Sequence, residues 1–202
     1  MFLLNYFHSH FIYERRIQRL TRILSTVIPH NVSMLDVGCG DGLLDREIKK
    51  QRPDLAVAGI DVLLRPQTHI PVTQFDGFHI PYRDKTFDIV MLIDVLHHAA
   101  DPEQLMSECL RVSKTGIIIK DHIANNKFQF YMLKFMDWTG NASHGVRLPY
   151  NYWSAQKWNS QYQRMQLKKI LYQTDLHLYP WPASLFFDST LHFIIFLTPE
   201  NQ

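Results

Sequence analysis

The chain has 202 residues, of which 46% are apolar and 20% are charged. These values are ordinary for a globular domain and exclude a wholly disordered, collagen-like or multi-span membrane protein. Lys and Arg exceed Asp and Glu by only two, 21 against 19, so the net charge gives no strong reason to expect a nucleic-acid partner.

The first predicted element is a helix. Residues 13–24 place Ile17, Leu20 and Leu24 on one face, with four arginines largely elsewhere, as in an amphipathic helix. Its polar face is either solvated, which is the commoner case, or rests on a membrane surface as a peripheral contact. The apolar stretch before it could also close over a bound ligand.

The sequence shows no sign of secretion. Its apolar start lacks a basic n-region and a small-residue cleavage site, so we expect no signal peptide. No apolar run reaches the ~20 residues that span a bilayer. Two cysteines, Cys39 and Cys109, cannot make a disulfide framework and favour a reducing compartment. We therefore expect a cytoplasmic protein.

From about residue 31 to residue 121, short apolar runs alternate with helical stretches, which is the pattern of a parallel sheet. The runs predict strands at 33–37, 55–61, 69–75, 87–94 and 116–121. One helix is predicted at 43–50. Another lies between the last two strands, with Asp101 as N-cap, Pro102 at its first position and Gly116 after its end.

The remaining chain completes the predicted sheet. Residues 122–153 read as a long, irregular, aromatic segment, and a helix is expected to begin near Ser154. Two further strands are predicted near 167–173 and 190–197, which makes seven strands in all.

A glycine-rich loop gives the strongest functional signal. In MLDVGCGDG, Gly38, Gly40 and Gly42 alternate between a predicted strand and a predicted helix. Glycine allows a sharp turn and a close ligand, and the helix N-terminus offers free N–H groups. Asp61 ends the next strand, near the offset at which a carboxylate meets a ribose diol. The context favours a nucleoside site over a purely structural turn.

The charge beside the loop discriminates between two cofactors. Nicotinamide dinucleotides favour G-x-G-x-x-G with a pyrophosphate at the helix N-terminus, whereas this chain has G-x-G-x-G. Asp36, two residues before Gly38, would repel a pyrophosphate but suits the ammonium and sulfonium of S-adenosylmethionine. We therefore expect the methyl donor rather than NAD.

Residues 34–121 resemble the class I S-adenosylmethionine-dependent methyltransferases, in the small-molecule branch that includes ubiquinone and menaquinone biosynthesis enzymes. The matching segments are LDVGCGDG (35–42), GID (59–61), FDGFHIPYRDKTFDIV (75–90) and DVLHHAADPEQLMSECLRVSK (94–114). The resemblance implies an α/β, Rossmann-like, mostly parallel seven-stranded sheet with helices on both faces and the last strand antiparallel.

The resemblance also implies a division of the chain and a set of cofactor contacts. One domain, 1–202, would comprise a helical cap (1–30), a cofactor-binding core (31–121), a substrate-lid insertion (122–153) and a C-terminal part (154–202). The methionine part of the cofactor would contact Asp36, Gly38, Cys39, Gly40 and Asp94. The ribose and adenine would contact Asp61, Val62, Asp76 and Gly77. His97 and His98 match the family's usual pair and are expected to be pocket-wall residues rather than bases.

Methylation of a hydroxyl or an acidic carbon requires a general base. Asp121 and His122 follow the fifth predicted strand, at the edge where open α/β sheets place their substrates. His122 is the first candidate because its ordinary pKa of about 6.5 suits proton transfer at neutral pH. A histidine satisfied by a loop carbonyl is the equal alternative. His144, in the aromatic segment, is the third catalytic candidate.

The aromatic segment is predicted to form a lid or substrate wall, because about thirty residues exceed a simple connection. Phe130, Leu133 and Phe135 are expected to be structural, and residues 141–152 to face the site. The histidines lack a recognised metal-ligand spacing, so no metal is expected. The predicted substrate is a small, aromatic or lipid-like acceptor. The alternatives are methylation of RNA or protein, and a binding protein without catalysis.

Overall fold

The computed structural model describes residues 12–141, 149–187 and 191–200. Its helices are α1 (Glu14–Val27), α2 (Leu43–Gln51), α3 (Pro102–Val112), α4 (Lys127–Asn141), α5 (Ala155–Arg164) and α6 (Ser184–Phe187). Its strands are β1 (Ser33–Val37), β2 (Ala56–Asp61), β3 (Val72–Gln74), β4 (Phe87–Ile93), β5 (Ser113–His122), β6 (Leu167–Gln173) and β7 (His192–Pro199). A short 3-10 turn, Leu96–His98, follows β4 and is called the histidine turn below.

The strands form one sheet in the order β3-β2-β1-β4-β5-β7-β6. The pairs from β3 to β5 are all parallel, whereas β7 runs antiparallel to both β5 and β6. The predicted fold class is therefore confirmed, including the antiparallel last strand. The order reverses between β1 and β4, and open α/β sheets bind their ligands beside such a switch point.

Helices cover both faces of the sheet because its strands are apolar on both sides. In β5, Ile117 and Ile119 pack into one core with α3 and α5. Ile118, between them, packs into a second core with α1 and α2 on the opposite face. Alternate side chains of a strand point to opposite faces, so one continuous apolar run serves both cores.

The start of β5 corrects one predicted boundary. Gly116 does not follow the end of α3 but lies inside β5, which begins at Ser113 directly after the helix. A Cβ added at Gly116 would lie 2.1 Å from the backbone oxygen of Leu197 on β7. Glycine is therefore required here by the close approach of two strands.

We expect the substitution Gly116→Ala to lower the free energy of unfolding by about 1–3 kcal/mol, the usual cost of overpacking. The clash is with backbone of β7, which cannot rotate away as a side chain could. Urea denaturation of the variant would measure the change. Thr115→Ala, at the exposed neighbouring position, serves as the control and should shift stability by no more than about 0.5 kcal/mol. Equal stability of the two variants would contradict the close strand approach.

The segment predicted to be irregular contains a helix instead. The side chain of Asn126 accepts a hydrogen bond from the Gln129 N–H at 2.9 Å, and that of Gln129 accepts one from the Asn125 N–H at 2.8 Å. This capping arrangement starts α4 despite its many aromatic residues, which are only moderate helix formers. Leu133 is buried as expected, but Phe135 is 55% exposed, so its predicted structural role is wrong.

Helix α1 places its apolar face in the core. Leu20 and Leu24 are fully buried there, while Arg19 donates to the carbonyl of Leu176 at 3.3 Å. Because the apolar face is packed in the core, a membrane could be contacted only by the polar side of α1 or by residues 1–11, which lie outside the described ranges. Peripheral membrane contact therefore stays a prediction. No helix within the described ranges has the length and apolar character needed to cross a membrane.

Candidate active site

The glycine loop turns at the carboxyl end of β1. Gly38, Gly40 and Gly42 have φ values of +76°, +61° and +73°, in the left-handed region that favours glycine. A Cβ added at Gly40 would meet no atom within 4 Å, so the space above the loop is open. The loop thus offers the close approach to a ligand that its sequence predicts.

Asp61 joins the loop from the end of β2. One of its carboxylate oxygens accepts a hydrogen bond from the Gly40 N–H at 2.8 Å, and the other accepts one from the Leu63 N–H at 2.8 Å. The side chain is almost completely buried, and each oxygen retains a lone pair for a ligand hydroxyl. The two predicted parts of the site are therefore in direct contact.

The expected adenine side of the site lies after β2 and β3. Val62 is 54% exposed although apolar, and a Cβ added at Gly77 would lie 3.2 Å from its Cγ1. Asp76 accepts hydrogen bonds from the Phe78 and His79 N–H groups at 2.7 Å and pairs with the His79 imidazole at 2.8 Å. Chiefly the hydrogen bonds from His79 lower the pKa of Asp76 to about 2. An adenine amino group would share this carboxylate with His79.

Two buried carboxyls lie beneath the loop. Asp36 ends β1, and Asp45 faces it from the first turn of α2 with no exposed surface. Oδ1 of Asp36 and both carboxyl oxygens of Asp45 are buried without a hydrogen-bond partner among the described residues. Burial, followed by the negative charge of Asp45, raises the pKa of Asp36 well above its ordinary value, and burial raises that of Asp45 to about 7. The pair therefore holds protons at neutral pH.

We expect S-adenosylhomocysteine, whose ammonium group is cationic, to release protons from this pair when it binds. A cation beside a carboxyl lowers its pKa, so binding should tighten as the pH rises from about 6 to 8. Calorimetry in buffers of different ionisation enthalpy would report the released protons. Asp45→Asn should reduce the release, because it removes the charge that helps raise the pKa of Asp36. A heat of binding that is independent of the buffer would refute this prediction.

Cys39, at the tip of the loop, has a packing role. Its sulfur occupies the space beside Gly59, where an added Cβ would lie only 2.4 Å from Sγ. Burial, together with the nearby Asp36, raises the pKa of the thiol far above its ordinary value. The side chain therefore remains a neutral thiol, and its predicted contact with the cofactor stays a prediction.

Asp94 follows β4 and is neutralised by two cations. Lys120, fully buried on β5, approaches its carboxylate to 2.5 Å, and Arg16 of α1 bonds the other oxygen. Burial alone would raise the pKa of Asp94, but the charges of Lys120 and Arg16 outweigh burial and hold it well below its ordinary value. Asp94 thus remains ionised and ties α1 to the edge of the sheet that carries the site.

Asp121 lies at the centre of a buried cluster after β4 and β5. Its oxygens contact Nδ1 of His97 at 2.6 Å, the Leu96 N–H at 3.0 Å and the His122 N–H at 2.7 Å. Asp121 is fully buried, so it acts through these groups. The burial favours a positioning role for Asp121, and its predicted catalytic role stays untested.

The two histidines beside Asp121 carry different charges. Burial lowers the pKa of His97, but Asp121 and Asp137 outweigh burial and raise it to about 10. For His122, burial and the charges of Lys120 and His97 lower the pKa below its ordinary value. His122 is therefore neutral at pH 7 and able to accept a proton, whereas His97 in this arrangement is protonated.

An aromatic wall closes the cluster. The Tyr152 hydroxyl bonds Asp137 of α4, and the Tyr152 ring lies 5.5 Å from that of His97 and 5.9 Å from that of His122. Phe130 packs edge-on against Tyr152 at 5.6 Å. These contacts bring Tyr152 and Phe130 to the cluster, and the role of the segment as a substrate wall stays a prediction. His144 lies outside the described residues.

The glycine loop and the histidine cluster adjoin each other. A Cβ added at Gly38 would lie 2.6 Å from Cγ2 of Val95, the residue between Asp94 and the histidine turn. The carboxyl ends of β1, β2, β4 and β5 therefore contribute to one continuous site. A donor molecule on the loop would lie beside the neutral imidazole and its aromatic wall.

Comparisons with known proteins agree with this geometry. Residues 35–119 match the methyltransferase domain family. This segment of the chain is a methyltransferase domain. The chain is 31% identical over 121 residues to a ubiquinone biosynthesis O-methyltransferase from Cereibacter sphaeroides, covering 52% of this chain and 47% of that protein. A protein of the same name from Caulobacter vibrioides is 30% identical over 122 residues, covering 54% and 48%.

A solved structure extends the likeness of the methyltransferase domain to nearly the whole chain. The S-adenosylmethionine-dependent methyltransferase from Mesorhizobium loti has a TM-score of 0.64 at 15% identity, covering 89% of this chain and 97% of that one. At this identity the likeness concerns the fold. The chain spans about half the length of the curated relatives it matches.

The chain's own residues fit the cofactor that this domain implies. The loop is open above Gly40, Asp61 is fixed on the loop with free lone pairs, and the buried Asp36 carries an oxygen without a donor. These groups match a ribose diol and a cationic amino acid. The individual contacts assigned to each residue remain predictions.

Sequence reasoning missed two charged residues of the site. Asp45 lies inside a helix and Lys120 lies inside an apolar strand. Lys120 had a visible signal, because a lysine in the run GIIIKD must find a buried partner. Asp137 is one of the polar residues of the predicted lid segment, but its place beside the histidine turn follows only from the tertiary contacts.

Proposed function

We propose that this chain transfers the methyl group of S-adenosylmethionine to a hydroxyl oxygen of a small aromatic molecule. The observation that carries the proposal is the position of the buried His122 in a cluster that adjoins the glycine loop through Val95. The names of the curated relatives, which are O-methyltransferases, also support transfer to oxygen.

Bound S-adenosylmethionine supplies a methyl group on a cationic sulfur, and the chain supplies the remaining parts of the reaction. The acceptor oxygen forms a bond to the methyl carbon as the carbon–sulfur bond breaks, and its electron pair leaves on sulfur. The hydroxyl proton passes to Nε2 of His122, which makes no hydrogen bond among the described residues. The products are a methyl ether, S-adenosylhomocysteine and a protonated base.

The carboxylates around His122 suit it for this role. Its Nδ1 lies 3.3 Å from Asp121, whose negative charge would stabilise the imidazolium that forms. Asp94, at 3.5 Å, contributes less because Lys120 and Arg16 offset its charge. The aromatic rings of Phe130, Tyr150 and Tyr152 favour an aromatic acceptor, which they can contact face or edge. Positioning and exclusion of water supply the rest of the rate enhancement.

Methyl-labelled S-adenosylmethionine tests the proposal. The protein is incubated with the donor and an extract of its own cells, or with simple catechols as probes, and the organic-soluble, nucleic-acid and protein fractions are separated. Label in an organic-soluble methyl ether is the expected result. Label confined to RNA or protein would overturn the substrate class, and label on carbon or nitrogen would overturn transfer to oxygen. Binding of S-adenosylhomocysteine without transfer to any fraction or probe would favour a binding protein.

A further inference from the structure

Three metal-binding side chains converge beside the aromatic wall. His97 and His98 come from the histidine turn, and Asp137 comes from α4. Nε2 of His97 lies 3.4 Å from Asp137 Oδ2, and Nε2 of His98 lies 3.9 Å from Asp137 Oδ1. One ligand atom from each lies within 4.8 Å of the others. Ligands of a tetrahedral zinc ion are roughly 3.3 Å apart, so these atoms would approach one another by at most about 1.5 Å to share one ion.

The free nitrogen of His97 points to a missing partner. His97 is 1% exposed, and its Nε2 makes no hydrogen bond among the described residues, although Asp137 is near. Its other nitrogen, Nδ1, lies 2.6 Å from Asp121, which is itself fixed by backbone N–H groups. A carboxylate on one imidazole nitrogen and a metal on the other is the common arrangement of histidine ligands.

A proton on His97 would satisfy only part of this cluster. It would stabilise the contact between His97 and Asp137. It would not stabilise His98, whose ring centroid lies 4.0 Å from that of His97. The Nδ1 atom of His98 is buried and has no hydrogen-bond partner among the described residues, which is energetically unfavourable for a polar nitrogen. A divalent ion would engage both imidazoles and the carboxylate together.

The neighbouring set of Asp94, His97, Asp121 and His122 is also close enough to hold an ion. That set already contains the ammonium group of Lys120, 2.5 Å from Asp94, and the guanidinium group of Arg16. Repulsion from these two cations disfavours a metal ion at Asp94. No described lysine or arginine contacts Asp137, whose recorded partners are the two histidines and the Tyr152 hydroxyl.

We propose that His97, His98 and Asp137 bind one divalent transition-metal ion, with Asp121 orienting His97 and Tyr152 orienting Asp137. Two imidazoles and a carboxylate with an open fourth position form a common catalytic zinc site. The ligands come from separate parts of the chain, since Asp137 follows His98 by 39 residues, which is why the histidine spacing alone predicted no metal. The ion's open position would polarise an acceptor hydroxyl, a consequence that rests on the proposed function.

Metal titration tests the site without any methyl transfer. Protein stripped with a chelator is titrated with Zn²⁺ by calorimetry and with Co²⁺ by visible absorption, which is intense for tetrahedral cobalt. We expect one ion per chain with a dissociation constant in the micromolar range or tighter. Asp137→Ala and His98→Ala, on different elements, should each weaken binding at least about 100-fold, and Asp121→Asn about 10- to 100-fold. His177→Ala removes an exposed imidazole paired with Asp175 at 3.1 Å and should have no effect.

Two outcomes would overturn the metal site. One is a wild-type dissociation constant above about 100 μM, and the other is wild-type affinity in both ligand variants. Calorimetric binding of S-adenosylhomocysteine to each variant reports whether it is folded. Because that binding does not require the metal, failure of the metal site is distinguishable from failure of the proposed function. If one ligand variant does not fold, the other, on a separate element, still decides the question.

Discussion

Replacing Asp61 by alanine is expected to weaken the binding of S-adenosylhomocysteine by at least about 100-fold. A carboxylate that holds two ribose hydroxyls contributes two hydrogen bonds to a charged group, each worth roughly 1.5–3 kcal/mol. The same side chain accepts from the Gly40 N–H, so its loss also frees the loop. Both effects lower affinity, and calorimetry with S-adenosylhomocysteine measures their sum.

Two further variants separate these effects. Asp61→Asn retains one oxygen for Gly40 and should lose only about tenfold in affinity, since one charge-assisted bond is weakened while the loop stays anchored. Asp84→Ala removes an exposed carboxylate that pairs with Arg111 away from the site and should bind normally. If Asp61→Ala binds like Asp84→Ala, the assignment of this acid to the ribose is wrong.

The parts of the site that could be predicted from the sequence are those with local signals. The strand SMLDV was predicted over 33–37 and is β1 (Ser33–Val37), because it is flanked by a turn and by the glycine loop. Asp101 caps α3 as predicted, accepting from the N–H groups of Glu103 and Gln104 at 3.1 and 3.0 Å. These features depend on neighbours within a few residues, which a sequence displays directly.

The parts that could not be predicted depend on contacts between distant segments. His97 was expected to be a pocket-wall residue, yet it bonds Asp121 of β5 and faces Asp137 of α4. Helix α4 was not predicted, because its many aromatic residues favour a loop that lines a pocket. Its capping pair, Asn126 and Gln129, involves only a few residues and is easily overlooked. Asp121 of β5 reaches the histidine turn without α4, but the second carboxylate, Asp137, is brought there only by this helix.

The charges of the site divide it into two electrostatic regions. Asp94 is paired with both Lys120 and Arg16, so the end of β4 nearest the loop carries no net negative charge. Within the described residues, the ion-pair contacts of Asp121 and Asp137 are with imidazoles rather than with a lysine or arginine. The proposed proton transfer and the proposed cation site therefore share this histidine cluster.

Replacing His122 by alanine is expected to lower kcat by about 10²- to 10⁴-fold, the usual contribution of a general base. His122 lies at the end of β5, whereas the loop glycines follow β1, so the affinity for S-adenosylhomocysteine should stay within a few-fold of wild type. Initial rates of label transfer into the organic-soluble extract measure kcat, and calorimetry measures the affinity.

A second substitution distinguishes basicity from packing. His122→Asn keeps a polar side chain that can bond Asp121 but cannot accept a proton at neutral pH, so it should lose as much activity as His122→Ala. His30→Ala changes a histidine that is 80% exposed and precedes β1, and this variant should retain full activity. Near-normal turnover by His122→Asn would show that His122 only fills space, and the acceptor's proton would then have to leave by another group of the cluster.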